Sequence, residues 1–511
     1  MLDLLDLKLN GFEPRKYQLD AACSVIEKGN TLVVMPTALG KTYVAMLVLA
    51  EVLRRNQNNR ALFLAPTKPL ADQQFKKIQE TLQLGDNACL LTGELSPEKR
   101  LPLLSSVKVI CATPQAIEND VLSSRVDLKD FALIVFDEVH RAVGEYSYSF
   151  IAQQAMRVKP SPLLLGLTAS PSSEKEKIKE ICKNLGVTNL FVRSESDSDV
   201  SKYIQPVGVE WEFIPLPQEM KQARDLLTDI LRDSLQELKR SGFLGSADAN
   251  QVNKRDLLAL RATILRGLSK NSAGYRALTV QAKTLSILHA LDVLDSQGVS
   301  SLLSFLKSLY GRDKPSKAAK ELTSDFRLQK VITVAENLIK AGVDHPKFGV
   351  LQDLAKHAVE NNQSVIVFAH FRDSVEKIVS LLNEKSLGAK SLVGRSIKNG
   401  SGMTQKKQLA VVEQFKSREF PILVCTSVGE EGLDLTTVDL VVFFEAVPSE
   451  IRLIQRRGRA GRTKSGKVIV LVAKGTKDEA FHWISRRKEK KMNDTLKNLP
   501  QLTMQDFSNG E

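Results

Sequence analysis

Long apolar runs are missing from this chain. None approaches the roughly 18 residues that a helix needs to cross a bilayer. The opening MLDLLDLKLN sets Asp3 and Asp6 inside its apolar part, which is wrong for a secretory signal. Cysteine is scarce: Cys23, Cys89, Cys111, Cys182 and Cys425 are scattered and show no CxxC spacing. Neither a disulfide framework nor a zinc site is expected, and buried thiols in a reducing compartment fit better. Proline is absent between Pro217 and Pro315, which removes the strongest helix breaker from that region. These absences lead to an expectation of an intracellular, soluble protein.

Size and positive charge are what the chain has instead. Its 511 residues exceed one hydrophobic core, and domain statistics suggest about three units. A hydrophobic content of 43% with 26% charged residues is ordinary for a globular protein. The formal charge of +13 points toward a polyanionic partner such as nucleic acid.

Between residues 31 and 170, short apolar runs recur at helix-plus-strand intervals: TLVVMP, ALFLAP, ACLLTG, VKVICAT, LIVFDE and LLLGLTA. Runs apolar on both faces, separated by helical stretches, predict parallel strands covered by helices. Polar residues collect just after them, at Thr37, Thr67, Thr113, Asp137 and Thr168, where open parallel sheets bind ligands. A second set follows residue 347: SVIVFAH, KSLVG, ILVCTS, LVVFFEA and KVIVLVA. Between the sets, apolar residues fall at helical spacing. Leu227, Leu231, Leu235 and Leu238 form one stripe, and Leu278, Ala282, Leu285, Leu288, Leu291 and Leu294 form another. The expected architecture is α/β, with two doubly wound parallel-sheet lobes at 1–214 and 341–511. An all-helical insert of about five helices fills 215–340, GVDHPK (342–347) is its hinge, and a basic helix around Arg486, Arg487, Lys488, Lys490 and Lys491 follows.

Three stretches carry chemistry. TLVVMPTALGKT (31–42) reads as a strand, a turn containing Pro36, Ala38 and Gly40, and a helix N-terminus. Such a loop cradles phosphates with backbone N–H groups, Lys41 reaches the outer oxygens, and the Thr42 hydroxyl holds Mg²⁺. LIVFDEVH sets Asp137, Glu138 and His140 at a strand end about 95 residues later. A carboxylate there can hold the metal while its neighbour positions or deprotonates water. QRRGRAGR (455–462) places Arg459 and Arg462 three apart on a lobe without a phosphate loop. Arginines so placed make sense if they reach across a cleft to the nucleotide, where such fingers contribute about 10³ to 10⁵ in rate.

With these motifs in this order, the chain resembles a superfamily 2 helicase. It is most similar to the helicase part of archaeal Hef, a relative of the Fanconi anaemia group M translocase. PRKYQ (14–18) resembles the adenine-reading motif, with Arg15 and Gln18; MPTALGKT is motif I, APTKPL (65–70) motif Ia, TPQAIEND (113–120) motif Ib, DEVH motif II and LTAS (167–170) motif III. VIVFAHFRDS (365–374) resembles motif IV, TSVGEEGLDL (426–435) motif V and QRRGRAGR motif VI.

The resemblance implies two RecA-like lobes, with ATP and Mg²⁺ as cofactors. Pro36, Thr37, Gly40, Lys41 and Thr42 would bind the phosphates, and Thr42 and Asp137 the metal. Glu138, Gln455, Arg459 and Arg462 would serve hydrolysis, while Gly432 would bind the nucleotide and Asp434 would touch its ribose. Pro66, Thr67, Lys68, Thr113 and Pro114 on the first lobe, and Arg372, Thr426 and Ser427 on the second, would contact the nucleic-acid backbone. His140, Thr168 and Ser170 would couple hydrolysis to lobe movement. The implied substrate is branched or forked DNA, gripped by the insert. For Arg255, Arg261 and Arg266 of that insert, a solvated face and DNA contact stand as equal readings.

Two departures stand out. Ala38 replaces a glycine usual in the family, so either its φ is negative or nucleotide affinity is reduced. Hef also carries an XPF-type nuclease domain, which nothing in these residues resembles. The chain is expected to be a piece of a longer protein or a helicase-only relative, with an XPF-type nuclease or a sliding clamp as partner. Double-stranded RNA stands as an alternative substrate, and a weakly hydrolysing module that recruits a nuclease to branched DNA as an alternative class.

Overall fold

The computed structural model describes residues 9–36, 39–169, 175–195, 197–203, 208–248, 252, 254–266, 272–311, 314–394, 402–426, 438–446 and 466–498. Its strands are β1 (Thr31–Val34), β2 (Ala61–Leu64), β3 (Ala88–Leu91), β4 (Val109–Ala112), β5 (Leu133–Phe136), β6 (Leu163–Thr168), β7 (Asn189–Val192), β8 (Gly208–Ile214), β9 (Val365–Phe368), β10 (Ala389–Leu392), β11 (Ile422–Cys425), β12 (Leu440–Phe443) and β13 (Lys467–Ala473). They form a seven-stranded sheet ordered β3-β4-β2-β5-β6-β1-β7 and a six-stranded sheet ordered β10-β11-β9-β12-β13-β8. Every described ladder is parallel. Interior strands such as β2, β4, β5 and β9 are buried at every position, as helices on both faces of a parallel sheet require.

All eleven apolar runs read from sequence are strands. Two further strands were not anticipated. β7 is a short edge strand, NLFV. β8, GVEWEFI, alternates half-buried Val209, Trp211 and Phe213 with exposed Glu210 and Glu212. Although it lies within the 214 residues assigned to the first lobe, β8 runs beside β13 from Gly208↔Lys467 to Ile214↔Ala473. The chain therefore crosses to the second sheet before entering the insert. The two glutamates on this edge discourage further strand pairing.

The insert has six helices among the described residues: Gln218–Arg240, Lys254–Arg266, Ser272–Gln297, Val299–Tyr310, Lys317–Thr323 and Phe326–Lys340. Leu227, Leu231, Leu235 and Leu238 are buried as one stripe. Ser272–Gln297 is the central helix, so its burial is broader than the stripe read from sequence. Val280, Gln281, Thr284 and Ile287 are buried, while Leu278 and Leu285 are only partly so. Gln281 and Thr284 are tolerated there because each bonds a carbonyl, Leu257 O at 2.8 Å and Val280 O at 2.7 Å.

The segment 342–347, expected as a hinge, is a packed joint. Asp344 accepts from Val299 N at 2.8 Å and Ser300 Oγ at 2.7 Å, and pairs with Lys377. Gly298, at φ +90°, leaves no space for a Cβ, which would meet Asp344 Oδ1 at 2.1 Å. His345 caps Pro346–Glu360, and burial, with Lys347 nearby, pushes its imidazole down to about 3, so it is neutral. Lys347 is fully buried, donates to Phe444 O at 2.8 Å and pairs with Asp478. Lys477 pairs with Asp292 of the insert. Lys377 also donates to Ser300 Oγ at 2.6 Å, so the insert is fastened to the second lobe through polar contacts.

All five cysteines are free, four of them buried and Cys23 partly so. Among the described residues no helix is long and apolar enough to cross a membrane, and no three or more His, Cys, Asp or Glu side chains converge as a metal cluster.

Candidate nucleotide and nucleic-acid site

In a parallel sheet all strands point one way, so their carboxyl ends share one edge. The order β4-β2-β5-β6-β1 therefore fixes the order of the loops along that edge. Thr113 and Pro114 follow β4; Pro66, Thr67 and Lys68 follow β2; Asp137 and Glu138 follow β5; Thr168 closes β6; the phosphate loop follows β1. At a strand spacing of about 4.8 Å, these five loops span roughly 19 Å. The acidic pair and Thr168 lie between the phosphate loop and the two threonine loops.

At the phosphate-loop end, Gly40 has φ +75° and ψ 42° and caps the helix Lys41–Arg55. Only glycine suits this conformation and this space, because a Cβ would lie 2.6 Å from Gln18 Nε2. Gln18 is buried and fastens the segment 14–18 to the loop. Its Oε1 accepts from Arg15 N at 2.9 Å and its Nε2 donates to Leu39 O at 2.9 Å. Arg15 donates to Tyr17 Oη at 3.0 Å and lies 4.1 Å from the centre of the Tyr203 ring. Lys41 Nζ donates to Met35 O at 3.2 Å and Pro36 O at 3.4 Å, at the end of β1. Tyr43, just after Gly-Lys-Thr, is sandwiched between Phe12, stacked at 3.8 Å, and the Lys77 ammonium at 4.0 Å. Sequence reading missed this sandwich, since residues 12, 43 and 77 share no pattern. Thr37 and Ala38, and with them the question of the Ala38 backbone, lie outside the described residues.

Asp137 is buried and held on both oxygens. Gln74 Nε2 donates to Oδ2 at 3.0 Å and Glu138 N to Oδ1 at 3.0 Å. Burial first, and the Glu138 charge second, push its carboxyl up to about 7. Burial also pushes Glu138 up, but His140, Lys41 and Arg141 outweigh it and hold that carboxyl below the usual range. Glu138 adopts the left-handed conformation, φ +50°, which costs a non-glycine residue on the order of 1 kcal/mol or more. His140 Nδ1 lies 3.3 Å from Glu138 Oε2 and 3.4 Å from Thr168 Oγ1. One imidazole thus links the acidic pair to β6. Tyr148 Oη donates to Leu64 O at 3.1 Å and Asp137 O at 2.8 Å, locking the ends of β2 and β5 together.

The residues present fit a magnesium nucleotide. Two carboxylates whose mutual burial raises one of them to about 7 are relieved by a dication, and carboxylate plus hydroxyl oxygens are the hard donors Mg²⁺ prefers. Lys41 already affects both carboxylates.

Toward the other end of the row, Thr67 and Thr113 are N-caps of Lys68–Leu82 and Pro114–Leu122. Both helix N-termini therefore point at the same edge, where backbone N–H groups can meet phosphates. Lys68 is paired with Glu94. On the second sheet, Arg372 heads Arg372–Glu384 after β9 and donates to Gly394 O at 2.9 Å. Thr426 follows the adjacent β11, with its N–H on Leu392 O at 3.2 Å. Glu445, after β12, accepts from His370 N at 2.9 Å. That buried carboxylate closes LVVFFE as Asp137 closes LIVFD, a signal the sequence reading left unused. Ser170, Ser427, Gly432, Asp434, Gln455, Arg459 and Arg462 lie outside the described residues.

Comparison with known proteins agrees with this geometry. Residues 15–178 match the family described as DEAD/DEAH box helicase and residues 346–464 the helicase conserved C-terminal domain. Residues 219–345 match "Putative ATP-dependent RNA helicase, helical bundle". The helicase domain of Hef from Pyrococcus furiosus is 42% identical with a TM-score of 0.73, over 93% of this chain and 98% of that one. Two parallel lobes with one phosphate loop, flanking a helical bundle, define a two-lobed helicase motor. The chain belongs to the superfamily 2 helicases of the DExH type, a family of ATP-hydrolysing enzymes, in the group that contains Hef and the Fanconi anaemia group M proteins.

Among curated relatives, "Putative ATP-dependent RNA helicase MJ1505" of Methanocaldococcus jannaschii is 39% identical over 96% of this chain and 62% of its own length. The ATP-dependent DNA helicase mph1 of Neurospora crassa is 32% identical over 92% and 42%, and the mouse Fanconi anemia group M protein homolog 30% over 92% and 25%. The chain thus spans less than two thirds of the length of these relatives.

Proposed function

We propose that this chain is the motor of an ATP-driven enzyme that remodels branched DNA such as replication forks. The observation that carries it is the row of loops along the first sheet. The Gly40-Lys41-Thr42 turn lies at one end, two helix N-termini suited to backbone phosphates lie toward the other, and His140 with Thr168 lies between them. The relatives named as DNA helicases, mph1 among them, support DNA as the substrate.

In this reading Pro36, Thr37 and Gly40 shape the cradle, and Lys41 leaves the β1 carbonyls for the nucleotide. Thr42 and Asp137 hold Mg²⁺, which neutralises charge on the phosphates. Glu138 orients the attacking water and takes its proton. Gln455, Arg459 and Arg462 complete the site from the second lobe, with Gly432 at the nucleotide, Asp434 at its ribose and Arg15 and Gln18 at the base. Pro66, Thr67, Lys68, Thr113, Pro114, Arg372, Thr426 and Ser427 hold the nucleic-acid backbone, contacts that position without reading sequence. His140 senses the state of Glu138 and passes it to Thr168 and Ser170. An XPF-type nuclease or a sliding clamp is the proposed protein partner.

A second reading, double-stranded RNA, is favoured by the names of the M. jannaschii relative and the helical-bundle family. ATP hydrolysis measured with a DNA fork, a DNA duplex and an RNA duplex separates the two. The largest stimulation by the fork supports DNA remodelling, and the largest stimulation by RNA overturns it.

A further inference from the structure

The helix Lys477–Asn498 belongs to none of the helicase motifs, yet it carries an unusual surface. Trp483 is 52% exposed and Ile484 40% exposed. Arg487 lies one turn further along the Trp483 face, and Lys490 and Lys491 two turns along, with Arg486 at its margin; all four cations are exposed. None of the four forms an ion pair among the described residues; the acids on this face are Asp494 at the far end and Glu479 one turn before the ring, the latter accepting from Gly475 N at 2.9 Å. An exposed aromatic ring heading a run of cations is the pairing that single-stranded nucleic acid binders use.

The ring is rigidly backed. His482, buried beneath it, packs against Trp211 at 4.2 Å and Phe213 at 5.2 Å on β8, and Trp483 meets His482 at 5.0 Å. Lys477 and Asp478, in the first turn, are held by Asp292 and Lys347 at the joint. β13 ends at the carboxyl edge of its sheet, so this helix starts on the edge that carries Arg372 and Thr426 and at the base of the insert.

We propose that this face, Trp483 followed by Arg487, Lys490 and Lys491, is a platform for a single-stranded nucleic-acid arm leaving the cleft. A ring on a convex helix cannot enter a stacked duplex, but it can stack on an unpaired base, and every base offers a π-face. The cations run about 11 Å beyond the ring at 1.5 Å per residue, a length that about three stacked nucleotides cover at 3.4 Å each. The platform would hold one displaced arm of a fork while the motor advances along the duplex. This inference rests on the nucleic-acid reading above.

The test is fluorescence anisotropy of the whole chain with a labelled dT oligonucleotide, a fork with single-stranded arms and a blunt duplex. Trp483→Ala is expected to weaken oligonucleotide and fork binding at least about fivefold, the lower end of one lost base stack, while Trp483→Phe retains most of the affinity. Lys490→Glu with Lys491→Glu is expected to weaken the same two ligands and flatten the salt dependence by about 0.7 for each phosphate no longer neutralised. Binding to the blunt duplex stays constant in all variants. Unchanged oligonucleotide and fork binding in Trp483→Ala overturns the platform alone, as does an equal loss on the blunt duplex. A wild-type chain that binds none of the three overturns the underlying motor reading as well. A change in oligomeric size by light scattering in Trp483→Ala assigns the face to a protein contact and also overturns the platform.

Discussion

Burial and the Glu138 charge keep Asp137 protonated up to about pH 7, whereas the unfolded chain releases that proton near pH 4. The folded state therefore binds more protons between these values. The contribution of this group is present below about pH 4 and is lost as the pH rises through about 7. Asp137→Asn removes the conflict. The new amide can donate to Gln74 Oε1, which is buried without a partner. The variant is expected to lose ATP hydrolysis and yet to melt several degrees higher than wild type at pH 8, a gain on the order of 2 kcal/mol. Thermal unfolding at pH 5 and pH 8 checks this, and equal melting temperatures at pH 8 would remove Asp137 as a strained site. Gly40→Ala works in the opposite direction. Its methyl group clashes with Gln18 and its φ is unsuited to alanine, so a loss of about 1–2 kcal/mol with weakened nucleotide binding is expected from melting curves with and without ATP. The acidic pair and the Gly-Lys-Thr turn were legible because their chemistry demands particular residue types at fixed places. Gln74 and Tyr148 were not, since they act through distances that only the fold creates.

Elements were legible in proportion to their burial. Nearly all the runs read as strands are apolar on both faces, the edge strand β10 with Lys390 and Ser391 being the exception, which leaves few alternatives to a parallel sheet. β8 escaped because it is an edge strand: its alternation with Glu210 and Glu212 is a period-two signal that an expectation of continuous apolar runs passes over. GVDHPK, expected as the hinge between the insert and the second lobe, instead contributes the buried His345 and Lys347 and the paired Asp344 to a packed joint. That difference has a measurable consequence. Lys347→Ala leaves Asp478 in the interior without its cation, and a loss of about 3–5 kcal/mol is expected in chemical denaturation. Lys347→Met combined with Asp478→Leu should recover most of it. If the single substitution leaves the midpoint in place, the Lys347–Asp478 pair does not hold the second lobe together.

At the scale of the molecule, Lys477–Asp292 and the Lys377 bond to Ser300 Oγ tie the insert to the second lobe, and Lys377–Asp344 ties the joint to it, whereas the Gly40-Lys41-Thr42 turn belongs to the other sheet. Under the proposed function, nucleic acid gripped by the insert would move with the second lobe, and hydrolysis would become work if Arg459 and Arg462 of that lobe reach the nucleotide only on closure. Binding is expected to weaken steeply with salt, because phosphate contacts dominate it. The central claim, a motor driven by ATP and triggered by branched DNA, is tested most directly by steady-state ATP hydrolysis titrated with a DNA fork, a blunt DNA duplex and an RNA duplex. Wild type is predicted to respond most strongly to the fork, with Lys41→Ala and Arg462→Ala at background while melting as wild type does. A wild-type rate indifferent to the fork, or undiminished turnover in either variant, would contradict the account.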